Sequence, residues 1–200
     1  MPWRCHVNIL VLGPQGSGKG TQATRIAADY AIPHVATGDM FRAAIAEGSE
    51  LGTAVEAILA RGELVPDDLT VSLIRDRLTR DDAASGFVLD GFPRTLAQTD
   101  ALDSMLGEEG RMLDAILFFE LADDVATERM LGRASHEGRP DDSPEAIRRR
   151  LELFHEQTAP VVERYRATGK LVPLHAAWSI GAVYAEIQQA LRLLDPAVSA

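Results

Sequence analysis

The chain has 200 residues, 46% hydrophobic and 25% charged, the make-up of one globular unit large enough to bury a continuous core. Its formal charge of -10 and pI near 4.9 exclude broad affinity for nucleic acid or acidic membranes, which needs a positive field over a wide surface, but not a small polyanion held by local charge. No run approaches the roughly eighteen apolar residues of a membrane span, the first residues show no signal-peptide pattern, and a single cysteine, Cys5, allows neither an internal disulfide nor a cysteine-rich zinc site, so a cytoplasmic protein is expected.

The first element is the apolar run from Val7 to Leu12, which stops at Gly13 as a strand covered on both faces does. Beyond the glycines, Ala23, Ile26, Ala27 and Tyr30 recur at helical spacing, giving a strand, a loop and a helix. Pro33 to Ala36, Phe87 to Leu89, Ala115 to Phe119 and Leu171 to Leu174 are further short strand candidates separated by helical patterns. Alternation of this kind predicts an α/β fold with a doubly wound, five-stranded parallel sheet and helices on both faces. Pro173 counts against the last of these as a strand, since proline is tolerated mainly on edges. Ser143-Pro144-Glu145 is an N-cap signal, and Gly169 closes the long helix predicted to follow it. Two stretches read less like core: about 37–65, with Gly38, Gly48, Gly52 and Gly62, and about 132–142, which is short and polar.

Gly13-Pro14-Gln15-Gly16-Ser17-Gly18-Lys19 is a phosphate-loop pattern, with Gly20 and Thr21 standing where Ser or Thr usually follows the lysine. Small residues let successive backbone N–H groups turn inward around phosphate oxygens, the following helix adds its positive end, and Lys19 adds a full charge. The twenty basic residues include only two lysines, Lys19 and Lys170, leaving eighteen arginines. Guanidinium groups grip phosphate with two parallel hydrogen bonds, as lysine cannot. In the helix after Ser143, Ile147, Leu151 and Phe154 define the apolar face; at 100° per residue Arg149 points away, Arg148 sideways, and Arg150 nearest that face. Asp90 ends a strand predicted to lie beside the phosphate loop, where a carboxylate can hold Mg²⁺ through its water shell. The five histidines are scattered and form no metal-ligand or nucleophile pattern.

The loop GPQGSGKGTQ resembles that of nucleoside monophosphate kinases, and Thr37-Gly38-Asp39-Met40-Phe41-Arg42, Gly62-Glu63-Leu64-Val65-Pro66, Asp90-Gly91-Phe92-Pro93-Arg94-Thr95 and Thr158-Ala159-Pro160 follow in the order of adenylate kinases. The resemblance implies transfer of the terminal phosphoryl group of ATP to AMP, giving ADP, by a cytoplasmic monomer that requires Mg²⁺. It implies a single P-loop kinase domain with its core at 1–36, 66–131 and 143–200, an NMP-binding insert at 37–65 and a short lid at 132–142. That lid lacks the cysteines of long-lid forms, so no structural zinc is expected. ATP is expected at Gly16, Ser17, Gly18, Lys19, Gly20, Thr21, Arg129, Arg133 and, through backbone, near Trp178. AMP is expected at Thr37, Arg42, Glu63, Leu64, Val65, Gly91, Phe92, Pro93, Arg94, Gln98, Arg139 and Arg150. Lys19, Arg94, Arg133, Arg139 and Arg150 are the expected catalytic charges, and Asp90 and Asp39 the outer shell of the metal. The pair Thr37 and Gln98 favours AMP, because UMP/CMP kinases of the same fold typically carry alanine and asparagine there. Such a pyrimidine kinase, or a nucleotide sensor without catalysis, is the alternative reading.

Overall fold

The computed structural model describes residues 6–137 and 143–194, so Trp3, Cys5 and Arg139 lie outside the described residues. Val7–Leu12 forms β1, buried along its whole length at the centre of a five-stranded parallel sheet of order β2-β3-β1-β4-β5. The other strands are β2 His34–Ala36, β3 Gly86–Asp90, β4 Ala115–Glu120 and β5 Leu171–His175. Pro173 is exposed on the edge strand, where its missing N–H is tolerated.

Side chains of β1 alternate between two cores, as a strand covered on both faces requires. Val7, Ile9 and Val11 pack with Ala23 and Ile26 of α1 (Lys19–Tyr30) and with Val183, Ile187 and Leu191 of α9 (Ile180–Leu194). Leu10 and Leu12 face α4 (Asp67–Leu78), α5 (Leu96–Glu108) and α8 (Ala159–Arg166) through Ile74, Leu102, Met105 and Val161. Each such apolar side chain contributes about 1.5–3 kcal/mol when fully buried. Asn8, polar in the buried strand, is satisfied by Arg111 at 2.7 Å on its oxygen and by donating to the Met112 carbonyl at 2.8 Å. No helix among the described residues is long and apolar enough to cross a membrane.

The stretch 37–65 has a small core of its own. Helices α2 (Thr37–Ala46) and α3 (Glu50–Ala60) pack around Phe41, Val55 and Val65, apart from the two main cores. Its glycines play different parts. Gly48 and Gly62 adopt positive φ in turns, whereas Gly38 and Gly52 lie inside helices and serve close approach. A Cβ on Gly52 would stand 2.1 Å from the Ala44 carbonyl oxygen, so only glycine lets α3 lie this close to α2.

The long helix predicted after Ser143 is interrupted. Ser143 caps α7 (Pro144–Leu153) by accepting the Ala146 N–H at 3.2 Å, but residues 154–158 form a wide π-type turn before α8 resumes. Pro160, at the start of α8, has no N–H to give the carbonyl one turn back and its ring crowds that position, which accounts for the break. Helix α6 (Asp123–Glu137) follows β4.

Candidate functional site

At the carboxyl ends of β1, β2 and β3 lies a cavity of about 490 Å³, where open α/β sheets place their ligands. Its floor is the phosphate loop. Gly13, Gly16 and Gly18 take φ values of 144°, 82° and 84°, and a Cβ at Gly16 would stand 2.6 Å from the Ala126 carbonyl of α6. The sequence needs glycine there for both conformation and clearance.

The Lys19 ammonium donates to the carbonyls of Gly13 at 2.7 Å and Pro14 at 2.8 Å, curling over its own loop. Burial of that ammonium lowers its pKa to about 8, with Asp90 opposing the shift and the charges of Arg94 and Arg133 adding to it. Arg94, between β3 and α5, is fixed at three points. Its Nε donates to the Gly91 carbonyl at 2.8 Å, its N–H to Gln98 Oε1 at 2.7 Å, and its carbonyl accepts the Thr158 hydroxyl at 3.0 Å. Burial first, then the charges of Arg150 and Arg42, against the opposing charge of Asp90, lower its pKa to about 10. The like charges of these groups lower one another's pKa, with Asp90 acting against them. A bound polyphosphate would relieve that repulsion, although the chain as a whole is strongly acidic.

Of the expected site residues, the cavity gathers Gly16, Gly18, Lys19, Gly20 and Thr21 from the loop, Asp39, Arg42 and Glu63 from the 37–65 stretch, Asp90, Gly91, Pro93 and Arg94 after β3, and Arg129, Arg133 and Arg150 from α6 and α7. The helix phase that turned Arg150 inward agrees with its place here, while Arg149 pairs with Glu152 at 3.2 Å away from the cavity. Ser17, Thr37, Leu64, Val65, Phe92 and Gln98 do not line it. Ser17 is buried beneath Lys19, Phe92 belongs to the main core and Val65 to the small one. Thr37 is buried with its hydroxyl 3.3 Å from the Asp90 carbonyl. Trp178 is 52% exposed, stacked on His175 outside the cavity.

Thr158, part of a motif but given no role there, fixes Arg94. Two contributors were not singled out from sequence: His34 lines the cavity with Nε2 3.5 Å from Asp90, and Asp67 accepts from both Gln98 and Thr95. Their signal is the adjacency of β2 to β3 and of α4 to α5, which no local pattern reveals.

Asp90 tests the fit for a divalent cation. Burial works against its ionisation, but the His34 contact and the charges of Lys19 and Arg94 outweigh that and hold the carboxyl below its ordinary value. It therefore stays anionic beside Gly20, at the start of the phosphate-loop helix. Among the described residues no group of three or more His, Cys, Asp or Glu converges. One ionised carboxylate fits a hydrated ion carried largely by phosphate oxygens. Asp39 lines the same cavity but is 65% exposed and ion-paired to Arg42.

A phosphate loop after the central strand of a parallel sheet, ringed by arginines from both flanks, defines a P-loop phosphotransferase. The family model described as adenylate kinase matches residues 11–170. The chain is 45% identical to an adenylate kinase of Xanthomonas euvesicatoria pv. vesicatoria over 185 residues, 92% of this chain and 99% of that one. It is equally similar, at 45% over 186 residues, to an adenylate kinase of Stenotrophomonas maltophilia, covering 93% of this chain and all of the relative. The chain belongs to the adenylate kinase family.

Proposed function

We infer that the protein transfers the terminal phosphoryl group of ATP to AMP, reversibly, giving two ADP. The observation that carries this reading is the convergence of Lys19, Arg42, Arg94, Arg133 and Arg150 on one cavity from opposite sides of the phosphate loop. A hydrolase needs charge around one polyphosphate; cations facing each other across the loop suit two phosphorylated substrates aligned for direct transfer.

Phosphoryl transfer passes through a loose transition state whose charge spreads over the moving group, so alignment and electrostatic stabilisation do most of the work. Lys19 and the loop N–H groups hold the donor phosphates, Arg42 and Arg94 the acceptor phosphate, and Arg94, Arg133 and Arg150 neutralise the group in transit. Arg139, in the lid segment, joins them in this reading. Mg²⁺ carried by ATP, held through water by Asp90 with Asp39 at the margin, would add positive charge on the donor phosphates. The stretch 37–65 acts as the acceptor-binding part and 132–142 as a lid that excludes water from the reacting phosphate. Assaying AMP, CMP, UMP and GMP as acceptors with ATP fixed tests the assignment. AMP should be strongly preferred; preference for CMP or UMP would make this a pyrimidine nucleotide kinase.

A further inference from the structure

The segment between β5 and α9 is held on three sides. From α6, Arg129 Nη1 donates to the Ala176 carbonyl at 2.8 Å and Nη2 to that of Ala177 at 3.3 Å. From α1, Gln22 Nε2 donates to the Ile180 carbonyl at 2.9 Å. From α9, Glu186 accepts the His175 N–H at 3.0 Å through one oxygen and the ring Nδ1 at 2.7 Å through the other. The His175 ring lies flat against Trp178, with centroids 4.4 Å apart and planes inclined by 10°. The Trp178 N–H closes the turn on the His175 carbonyl at 3.1 Å.

We propose that His175 and Glu186 are positioning residues for the donor nucleotide, acting through the 176–178 turn on Arg129. The inference rests on the reading of the cavity as a two-nucleotide site. Strand order then assigns the sides. Arg42, Glu63 and Arg94 occupy the β2–β3 side of the phosphate loop, so the acceptor lies there and the donor base extends toward β4 and β5. Arg129 is the cavity-lining cation on that second side whose fork is held by carbonyls of the turn. A planar guanidinium stacks on aromatic surfaces such as a purine, and loses less conformational freedom in doing so when its plane is already fixed. The two carbonyls fix it, and Glu186, by gripping both the backbone and the ring of His175, fixes the carbonyls.

The test is steady-state kinetics with ATP and AMP varied separately, on Glu186→Ala, His175→Ala, Arg129→Ala and the double variant Glu186→Ala/Arg129→Ala. Loss of one partly exposed charge-assisted hydrogen bond should raise the KM for ATP about three- to tenfold in each of the first two variants, with the KM for AMP unchanged. Because the effect runs through Arg129, Glu186→Ala should add nothing once Arg129 is alanine. Equal rises in both KM values, no rise for ATP, or an undiminished Glu186→Ala effect in the Arg129→Ala background overturns the positioning role. An unchanged KM for ATP in Arg129→Ala alone overturns the assignment of the donor side itself.

Discussion

The side-chain oxygen of Gln98 accepts the backbone N–H of Arg94 at 2.7 Å, while its amide nitrogen donates to Asp67 at the same distance. Both ends of a buried carboxamide are thus committed inside the protein. Whatever Gln98 offers a base, it also fixes the start of α5 and the arginine that precedes it. Replacing Gln98 with alanine leaves an Arg94 N–H and one Asp67 oxygen short of partners. Stability should fall by about 1–3 kcal/mol, and kcat/KM for AMP should drop more than the KM for ATP changes. Thermal unfolding and two-substrate kinetics check this; an unshifted melting temperature would mean the two bonds contribute nothing.

Arg94→Lys keeps the charge but loses the fork and the Nε bond to Gly91. The barrier to transfer should rise by about 3–4 kcal/mol, roughly 100- to 1,000-fold in kcat, with the fold unchanged by circular dichroism. A loss under tenfold would place Arg94 away from the moving group.

Lys19 gives a pH signature. Its folded pKa of about 8 lies below the ordinary 10.5, so between those values the unfolded chain binds more protons and the ligand-free protein gains stability as pH rises. Below about 8 both states are protonated and the burial penalty is fully present. Bound phosphate favours the ammonium, so just above pH 8 ATP binding should take up a proton and weaken with further rise. Calorimetry in two buffers of different ionisation heat reads that uptake directly, and its absence would show Lys19 already charged in the free protein.

Gly52→Ala forces a methyl group against the Ala44 carbonyl, and α3 must move off α2. Disruption of the Phe41, Val55 and Val65 cluster should cost about 1–3 kcal/mol locally. If the 37–65 stretch serves the acceptor, the KM for AMP should rise and that for ATP stay put. Equal changes in both would detach this stretch from acceptor binding.

Closure is tested by labels at Glu56, exposed on α3, and Glu137, at the end of α6. Their separation should shorten when a bisubstrate mimic binds. Unchanged distances would leave the cavity open to water throughout the cycle.

What the sequence discloses follows the range of the interactions. The phosphate loop, the strand before it and the helix after it are local, and glycine spacing plus apolar period suffice to read them. Arg150 was legible because a helix face is fixed by its own neighbours. Gln98 with Asp67, His34 with Asp90 and His175 with Glu186 were not, since each pair joins different elements. Scattered histidines look idle in a linear reading, yet three of the five, His34, His155 and His175, meet carboxylates of other elements. The break in the helix after Ser143 had a visible cause in Pro160, but its form as a wide turn depends on how α7 and α8 must meet the cavity and the core.

Edge strand β5 carries a last consequence. Its Lys170 and Ala176 ends bond inward to β4, and alternation along a parallel ladder turns Pro173 and His175 outward. The first has no N–H at all, and the N–H of the second is already taken by Glu186. A strand from another molecule would find almost no donors along that rim. With Leu171 the remaining outward residue of β5, that rim is a poor template for the edge-to-edge stacking through which sheets aggregate.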